Sequence, residues 1–151
     1  MPVSIRQASV DDLNLLAPLF DAYRQFYQQP PDLELARSFL LERLLHDQSV
    51  IFLAQDSDSA LGFTQLYPSF SSGLARRSFI LNDLFVLPGA RRRGIGRSLL
   101  RAAAEFGIQA GAAELTLSTA LDNTSAQALY ESSGWQRDNV FCNYTLPLAD
   151  D

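Results

Sequence analysis

The chain has 151 residues, of which 47% are hydrophobic and 19% are charged, and its formal net charge at pH 7 is -5. This length and composition predict one folded domain, residues 1–151, and exclude a disordered chain. The acidic balance argues against bulk nucleic-acid binding, and no apolar run approaches the roughly 18 residues that a membrane span needs.

Hydrophobic periodicity divides the chain into alternating strands and helices. Period-two alternation predicts strands, and apolar residues spaced three and four apart predict helices. Asp11 and Asp12 are candidate N-caps for the first helix, and Asp32 for the second. The predicted elements are strand 3–9, helix 13–29, helix 32–46, strands 49–56, 61–70 and 76–87, helix 94–109, strand 112–120, helix 123–133 and two closing strands within 134–148. This order, βααβββαβαββ, predicts an α/β fold with a mixed central sheet flanked by helices.

The turn after strand 76–87 has the composition of an anion-binding site. A helix begins near Gly94, and the amides of a helix's first turn have no acceptor within the helix. Gly94 and Gly96 let a diphosphate approach the backbone, and nearby arginines can add charge-assisted hydrogen bonds. The arginines are Arg91, Arg92, Arg93 and Arg97. The P-loop lysine and the third glycine of the dinucleotide fingerprint are missing, so the turn matches neither of these phosphate-binding motifs. The alternative to an anion-binding site is an ordinary helix start with solvated arginines.

Helix 123–133 carries a second candidate surface. Asn123, Ala126 and Tyr130 stand at i, i+3 and i+7, so they share one face, with the polar ends about 10 Å apart. A ligand along this face would meet an amide, a small residue and a phenol in turn. The alternative is that Asn123 only caps the helix and Tyr130 only buries its ring.

Together the two stretches resemble the acetyl-CoA signature of the GNAT superfamily of N-acetyltransferases. The matching patterns are Arg91-x-x-Gly94-x-Gly96 after a strand and Asn123-x-x-Ala126-x-x-Leu129-Tyr130-x-x-x-Gly134-Trp135. The resemblance covers the whole chain. The stretches LNDLFVLP and FCNYTL further resemble the branch that holds the polyamine, thialysine, and yeast histone and D-amino-acid acetyltransferases.

The resemblance implies how acetyl-CoA is held. In the superfamily, the turn that matches residues 92–97 holds the pyrophosphate, and the strand that matches residues 84–87 is bulged and pairs with pantetheine. The Val86 amide would polarise the acetyl carbonyl, Asn123 would bond to pantetheine, and Tyr130 would protonate the leaving thiolate. This chemistry needs no metal. The residues assigned to the cofactor are Leu84, Phe85, Val86, Arg91, Arg92, Arg93, Gly94, Ile95, Gly96, Arg97, Asn123, Ala126 and Tyr130.

The resemblance does not supply the general base. Related polyamine enzymes carry a glutamate where this chain has Asn82, and an amide cannot accept the proton of the amine. Asp83 is the expected base, with a structural role as the alternative, and on a regular strand it would face away from Asn82. An aromatic stripe on the first helix, which includes Phe20, could wall the cleft or pack in the core. The residues expected to bind the acceptor are Tyr23, Tyr27, Glu34, Tyr67 and Asn82, and Asp32 and Glu42 are further carboxylates near the cleft.

The expected function is acetyl-CoA-dependent acetylation of a primary amine on a small molecule, such as a polyamine, an amino acid or a lysine-like side chain. The alternatives are acetylation of protein or histone lysines, and a non-catalytic acyl-CoA-binding module. Cys142 cannot form an internal disulfide and the first residues lack an apolar signal segment, so we expect a cytoplasmic protein with this thiol buried. Alternating large apolar residues in 140–148 predict a homodimer.

Overall fold

The computed structural model describes residues 2–149 of the chain. Strands and helices follow the predicted order as far as the last helix. They are β1 (Ser4–Gln7), α1 (Leu13–Phe26), α2 (Leu33–Leu45), β2 (Val50–Asp56), β3 (Ser59–Ser71), β4 (Arg76–Val86), α3 (Ile95–Gln109), β5 (Glu114–Thr116) and α4 (Thr124–Ser132), with 3₁₀ turns at Val10–Asp12 and Pro88–Ala90. Among the described residues, no helix is both long and apolar enough to cross a lipid bilayer.

The strands form one five-stranded sheet in the order β1-β2-β3-β4-β5. Neighbouring strands are antiparallel except β4 and β5, which run parallel because α3 connects them. The predicted hairpin of β2 and β3 is confirmed, as is the α/β class with a mixed sheet. β5 is shorter than predicted and pairs with β4 only along residues 78–80.

The side chains of β2 show that helices cover both faces of the sheet. Ile51 and Leu53 join a buried cluster with Leu40 and other residues of α1 and α2. Phe52 lies between them and contacts Phe106 of α3, with 5.9 Å between the ring centroids. Successive strand residues face opposite sides, so α3 covers the face opposite to α1 and α2. Each fully buried side chain of this size contributes roughly 1.5–3 kcal/mol.

A capping box precedes α1. Ser9 Oγ accepts from Asp11 N at 3.2 Å, and the Asp12 carboxylate accepts from Ser9 N at 2.9 Å. Arg6 donates to the same carboxylate at 2.7 and 3.0 Å, and these bonds hold the pKa of Asp12 below its ordinary value. Asp12 directly precedes α1 but makes no side-chain cap bond to it. Asp12 thus occupies the predicted N-cap position of α1, but its carboxylate accepts from Ser9 and Arg6 and not from the first turn of α1. The side-chain cap is that of Ser9, at the start of the preceding 3₁₀ turn.

The chain divides into two compact units, of which one ends at Ser118 and the other begins at Thr119. The single domain over 1–151 stays a prediction. In the second unit, the described residues after α4 form no strand, so the two closing strands predicted within 134–148 are wrong. The alternating pattern is present in the sequence, but a strand also needs a neighbour for its backbone hydrogen bonds. No described residue of this unit supplies one.

The segment 140–148 leaves its large apolar side chains exposed. Cys142 is exposed as well, so the prediction of a buried thiol is wrong, because the strand that would have buried it does not form. The cytoplasmic location stays a prediction. The exposed apolar residues are Val140, Phe141, Tyr144, Leu146 and Leu148, at 77–94%.

Candidate active site

A bulge in the middle of β4 organises the site. Gln65 of β3 pairs with Asp83, but the next residue, Leu66, pairs with Leu81, so Asn82 is the extra residue. A bulge interrupts the alternation of side chains along a strand. As a result, Asn82 Nδ2 donates to Asp83 Oδ1 at 2.9 Å. The expectation that these two side chains face apart is wrong.

Asp83 is a buried carboxyl at the centre of the site. It is 2% exposed and accepts hydrogen bonds from Asn82 and from Nε2 of Gln65. Burial raises its pKa, and the bonds from Asn82 and Gln65 oppose this rise. Thr64 Oγ1 donates to the main-chain carbonyl of Asp83 at 2.8 Å and fixes the strand here. A carboxyl with a raised pKa holds a proton more strongly than an ordinary aspartate, which suits a general base.

Two tyrosines that were predicted to bind the acceptor interact electrostatically with this carboxyl. Tyr23 Oη donates to the main-chain carbonyl of Asn82 at 3.4 Å. Burial, and then the negative charge of Asp83, raise the pKa of both Tyr23 and Tyr67, the latter to about 12. Both phenols therefore stay protonated at neutral pH and act as hydrogen-bond donors. The structure thus brings together Tyr23, Asn82 and Asp83, and Tyr67 lies within electrostatic reach of Asp83.

An aromatic wall surrounds Tyr23. The ring centroids of Tyr27, Phe63 and Phe85 lie 5.0, 5.7 and 6.1 Å from that of Tyr23. Phe20 stacks on Tyr23 at 6.0 Å but is only 7% exposed, so it packs in the core. Tyr27 is 50% exposed and forms the rim of the wall. Aromatic faces attract cations, so the wall suits an entering ammonium group.

Three carboxylates that were expected near the acceptor have local roles on α2. Asp32 caps the helix, as predicted, by accepting from Leu35 N at 3.0 Å. Glu34 is exposed in the first turn, where negative charge favours the helix dipole. Glu42 forms an ion pair with the adjacent Arg43 at 3.0 Å. The assignment of Glu34 to acceptor binding stays a prediction.

The arginine turn contains two residues in the left-handed conformation. Arg92 has φ 68°, and Gly94, the N-cap of α3, has φ 73°. A Cβ at Gly94 would meet nothing within 4 Å, so the position needs glycine for its conformation and not for space. Ser98 N donates to Gly94 O at 3.0 Å. This is the first hydrogen bond of the helix, so the amides of residues 95–97 have no acceptor within the helix. Such a row of amides at a helix start is the geometry of an anion site.

The arginines of this turn are exposed, and at least Arg91 and Arg93 have partners in the protein. Arg91 Nε donates to Val86 O at 3.1 Å, and its guanidinium lies 5.9 Å from the centroid of the Phe26 ring. Arg93 pairs with Asp56 at 3.3 Å. A surface ion pair of this kind is weak, so a phosphate can replace the carboxylate as the partner of Arg93.

At the end of β4, one edge of the strand pairs with β3, whereas β5 is too short to pair with the other edge. Within the described part of the first unit, that second edge is therefore open. Leu87 N donates to Leu61 O at 2.9 Å, whereas the Val86 carbonyl faces the opposite side. The Val86 amide shares that side, because the backbone groups of one residue point to the same edge. β5 ends at the level of Ile80. The bulge expected over 84–87 is wrong, since pairing with β3 is unshifted there, but the outer edge is suited to pairing with an amide-containing ligand.

In the second unit, α4 carries the other predicted cofactor residues. Asn123 Oδ1 accepts from Ala126 N at 3.2 Å, so this side chain caps the helix, as the alternative interpretation held. The Tyr130 and Trp135 rings lie 6.1 Å apart, and Trp135 N donates to Tyr130 O at 3.0 Å. The roles of Asn123 and Tyr130 toward pantetheine and sulfur stay predictions.

Gln65 belongs to the cluster but was not predicted from the sequence. It is 0% exposed, lies opposite Asp83 in the ladder and donates to its carboxylate. Its Oε1 atom is buried and has no hydrogen-bond partner among the described residues. The sequence signal for this residue is the polar pair Thr64-Gln65 inside the otherwise apolar run LGFTQLY. Polar side chains in a buried strand require hydrogen-bond partners, so the pair indicates a buried polar cluster.

Known proteins resemble this chain over most of its length. The sequence model of the acetyltransferase (GNAT) family matches residues 16–135. The "Uncharacterized N-acetyltransferase YhfO" of Bacillus subtilis is 48% identical over 144 residues, which are 95% of this chain and 97% of that protein. A solved structure of "a probable acetyltransferase" has a TM-score of 0.92 at 45% identity and covers 98% of this chain and 99% of its own. The aminoglycoside N-acetyltransferase AAC(6')-Iy, solved in complex with CoA, shares the fold at a TM-score of 0.79 and 23% identity, over 97% of this chain and 96% of that one.

Proposed function

The chain belongs to the acetyltransferase (GNAT) family and is an acyltransferase, and we propose that it moves the acetyl group of acetyl-CoA to a primary amine of a small molecule. The observation that carries the proposal is on β4, where the buried carboxyl of Asp83 shortly precedes the outward-facing amide of Val86. One strand thereby offers a proton acceptor and an oxyanion donor, the two groups that attack of an amine on a thioester requires.

In this proposal β4 and the arginine turn hold acetyl-CoA. Residues 84–86 pair with the pantetheine arm along the outer strand edge, as in β-strand addition. The first-turn amides of α3 and the nearby arginines bind the pyrophosphate. The Val86 amide donates to the acetyl oxygen as negative charge develops on it. The resemblance to the family assigns Asn123 to pantetheine and Tyr130 to the leaving thiolate.

Asp83 and Tyr130 carry the proton transfers. Asp83 accepts the proton of the acceptor ammonium, and the neutral nitrogen attacks the thioester carbonyl. The C–N bond forms and the C–S bond breaks, and the Tyr130 hydroxyl donates its proton to the departing sulfur. The nitrogen loses its second proton to water as the amide forms, and Tyr130 regains a proton from water. The protonated Tyr23 and Tyr67 orient the amine beside Asp83 through hydrogen bonds.

The carboxyl at the base of an aromatic wall supports a small amine as acceptor. AAC(6')-Iy, which shares the fold, is named for a small amine-bearing acceptor. The test is release of the free thiol of CoA with a panel of small primary amines and with lysine-containing peptides. We expect turnover with at least one class of small amine. Turnover confined to the peptides would favour the protein lysine acetyltransferase instead.

Changing Tyr130 to phenylalanine tests the acid role in α4. The substitution removes one proton donor and keeps the ring that contacts Trp135. We expect kcat and kcat/KM to fall together by about 10²-fold, with KM for acetyl-CoA little changed, because a thiolate is already a tolerable leaving group. Steady-state kinetics measure this effect. Activity within about threefold of wild type, with a lower melting temperature, would assign Tyr130 a packing role only.

We also propose that residues 140–148 bind a second copy of the chain. Contiguous exposed apolar side chains mark interaction sites, and five large ones lie in this segment. Light scattering at micromolar concentration should give the mass of a dimer, and changing Tyr144 and Leu146 to aspartate should give a monomer. A wild-type protein that is monomeric under these conditions would contradict the proposal.

A further inference from the structure

A guanidinium on α2 is largely buried without enough hydrogen-bond acceptors. The side chain of Arg43 is 21% exposed, and its ion pair is with the adjacent Glu42, whose side chain is 67% exposed. Arg43 Nε is buried and has no hydrogen-bond partner among the residues that the structure describes. A buried donor without an acceptor is costly, and native proteins satisfy such groups with protein, water or ligand. The Arg43 guanidinium is therefore short of acceptors among the described residues.

Arg43 lies at one end of an aromatic stack, formed by Phe39, Phe20 and Tyr23, that leads to the proposed acceptor site. Its Cζ atom is 4.5 Å from the centroid of the Phe39 ring, which in turn stacks on Phe20 at 5.5 Å. The positive charge of Arg43 lowers the pKa of Tyr67 against the larger effects of burial and Asp83. One phenol therefore lies within electrostatic reach of both the Arg43 guanidinium and the Asp83 carboxyl.

We propose that Arg43 binds a carboxylate of the acceptor, so that the substrate class is an amine that also carries a carboxylate, such as a free amino acid. This inference rests on the proposed function. The reacting amine lies at Asp83 and the acceptor carboxylate lies at Arg43. A guanidinium binds a carboxylate through two parallel N–H donors. The Tyr67 hydroxyl donates to the same carboxylate.

The same guanidinium disfavours a polyamine. A second ammonium group near Arg43 would meet a like charge in a poorly hydrated place, whereas a carboxylate there gains an ion pair. The competing interpretation gives Arg43 a structural role, since it covers Phe39 and lies in the last turn of α2, where a cation favours the helix dipole. A structural role predicts a loss of thermal stability on substitution, but no change in preference between acceptors.

Matched pairs of acceptors that differ only by a carboxylate separate these interpretations. The pairs are lysine with cadaverine and ornithine with putrescine, each assayed for CoA release with wild type, Arg43→Gln and Arg43→Lys. Arg37→Gln is the control, because Arg37 is exposed on the same helix. We expect wild type to favour the carboxylated member by about 10- to 100-fold in kcat/KM, mainly through KM, as loss of a charged hydrogen-bond pair predicts. Arg43→Gln should bring the ratio to within about twofold, Arg43→Lys should restore part of it, and Arg37→Gln should leave it unchanged.

The outcomes that contradict the inference are distinct from failure of the proposed function. Equal or faster acetylation of the diamines by wild type would overturn the carboxylate site and leave the acetyltransferase proposal standing. A preference that survives in a folded Arg43→Gln variant would overturn the role of Arg43. CoA binding without acetylation of any small amine would overturn the small-molecule proposal, and the carboxylate inference with it.

Discussion

Replacing Asp83 with asparagine lowers kcat by about 10²- to 10⁴-fold if this carboxyl takes the proton of the amine. Asparagine keeps the size of the side chain but cannot accept the proton. Both oxygens of Asp83 accept hydrogen bonds, from Asn82 and from Gln65. The amide of the variant can stay in the same place if the Gln65 amide turns over, because its buried Oε1 atom has no other partner among the described residues. Steady-state kinetics should show a large loss in kcat with KM for acetyl-CoA little changed.

The pH dependence gives a second readout on Asp83. The base must be ionised, so wild-type kcat/KM should rise with pH through the raised pKa of this group, and the asparagine variant should lack that limb. Since the folded-state pKa is raised, the folded chain binds more protons than the unfolded chain between the ordinary and the raised value. Wild-type stability therefore falls as pH rises through this window, and the variant is spared that loss. An asparagine variant that is active but less stable at neutral pH would show that Asp83 is structural.

Placing aspartate at Gly96 should abolish CoA binding. The substitution adds a side chain and a negative charge in the first turn of α3, where the pyrophosphate is proposed to lie. At a hundredfold excess over Kd, CoA should raise the wild-type melting temperature by about 5–10 °C, and the variant should show no shift. 3′-Dephospho-CoA should give wild type a smaller shift than CoA, because the arginines lose one anionic partner.

Gly73→Asp is the matched control for this substitution. Gly73 lies between β3 and β4, and a Cβ there meets nothing within 4 Å. This variant carries the same added charge and should keep the full shift with CoA. A folded Gly96→Asp variant with an unchanged shift would remove the turn from the cofactor site.

The fold was predictable wherever a local pattern and its partners agree. The hydrophobic period of residues 94–109 predicts a helix with Ile95, Leu99 and Ala103 on its buried face. In the structure α3 forms there, and these three residues are buried. The hairpin of β2 and β3 formed because its two strands are adjacent in the chain and supply each other's hydrogen bonds. The pattern in 140–148 is as regular, but no strand forms there. A sequence pattern shows which side chains prefer burial and does not show whether a neighbouring strand is present.

The candidate site was predictable as a set of residues but not as a geometry. Asp83, Asn82, Tyr23 and Tyr67 were each named from the sequence, yet the bulge that joins Asn82 to Asp83 leaves no local signal in LNDLF. A bulge depends on the register between two strands, which is a tertiary property. Arg43 was not predicted from the sequence for a related reason. On a helical pattern it is an ordinary last-turn cation, and only its burial shows an unsatisfied donor.

The most direct test of the account is to follow a labelled acetyl group from acetyl-CoA. The purified protein is incubated with labelled acetyl-CoA and a mixture of small primary amines, and the label is located by mass spectrometry. We predict that it appears as an N-acetyl amide on a small amine, with one free CoA released for each amide formed, and that Asp83→Asn slows its appearance. Label recovered only as acetate, only on protein lysines, or still on CoA after the wild-type reaction would contradict transfer to a small amine.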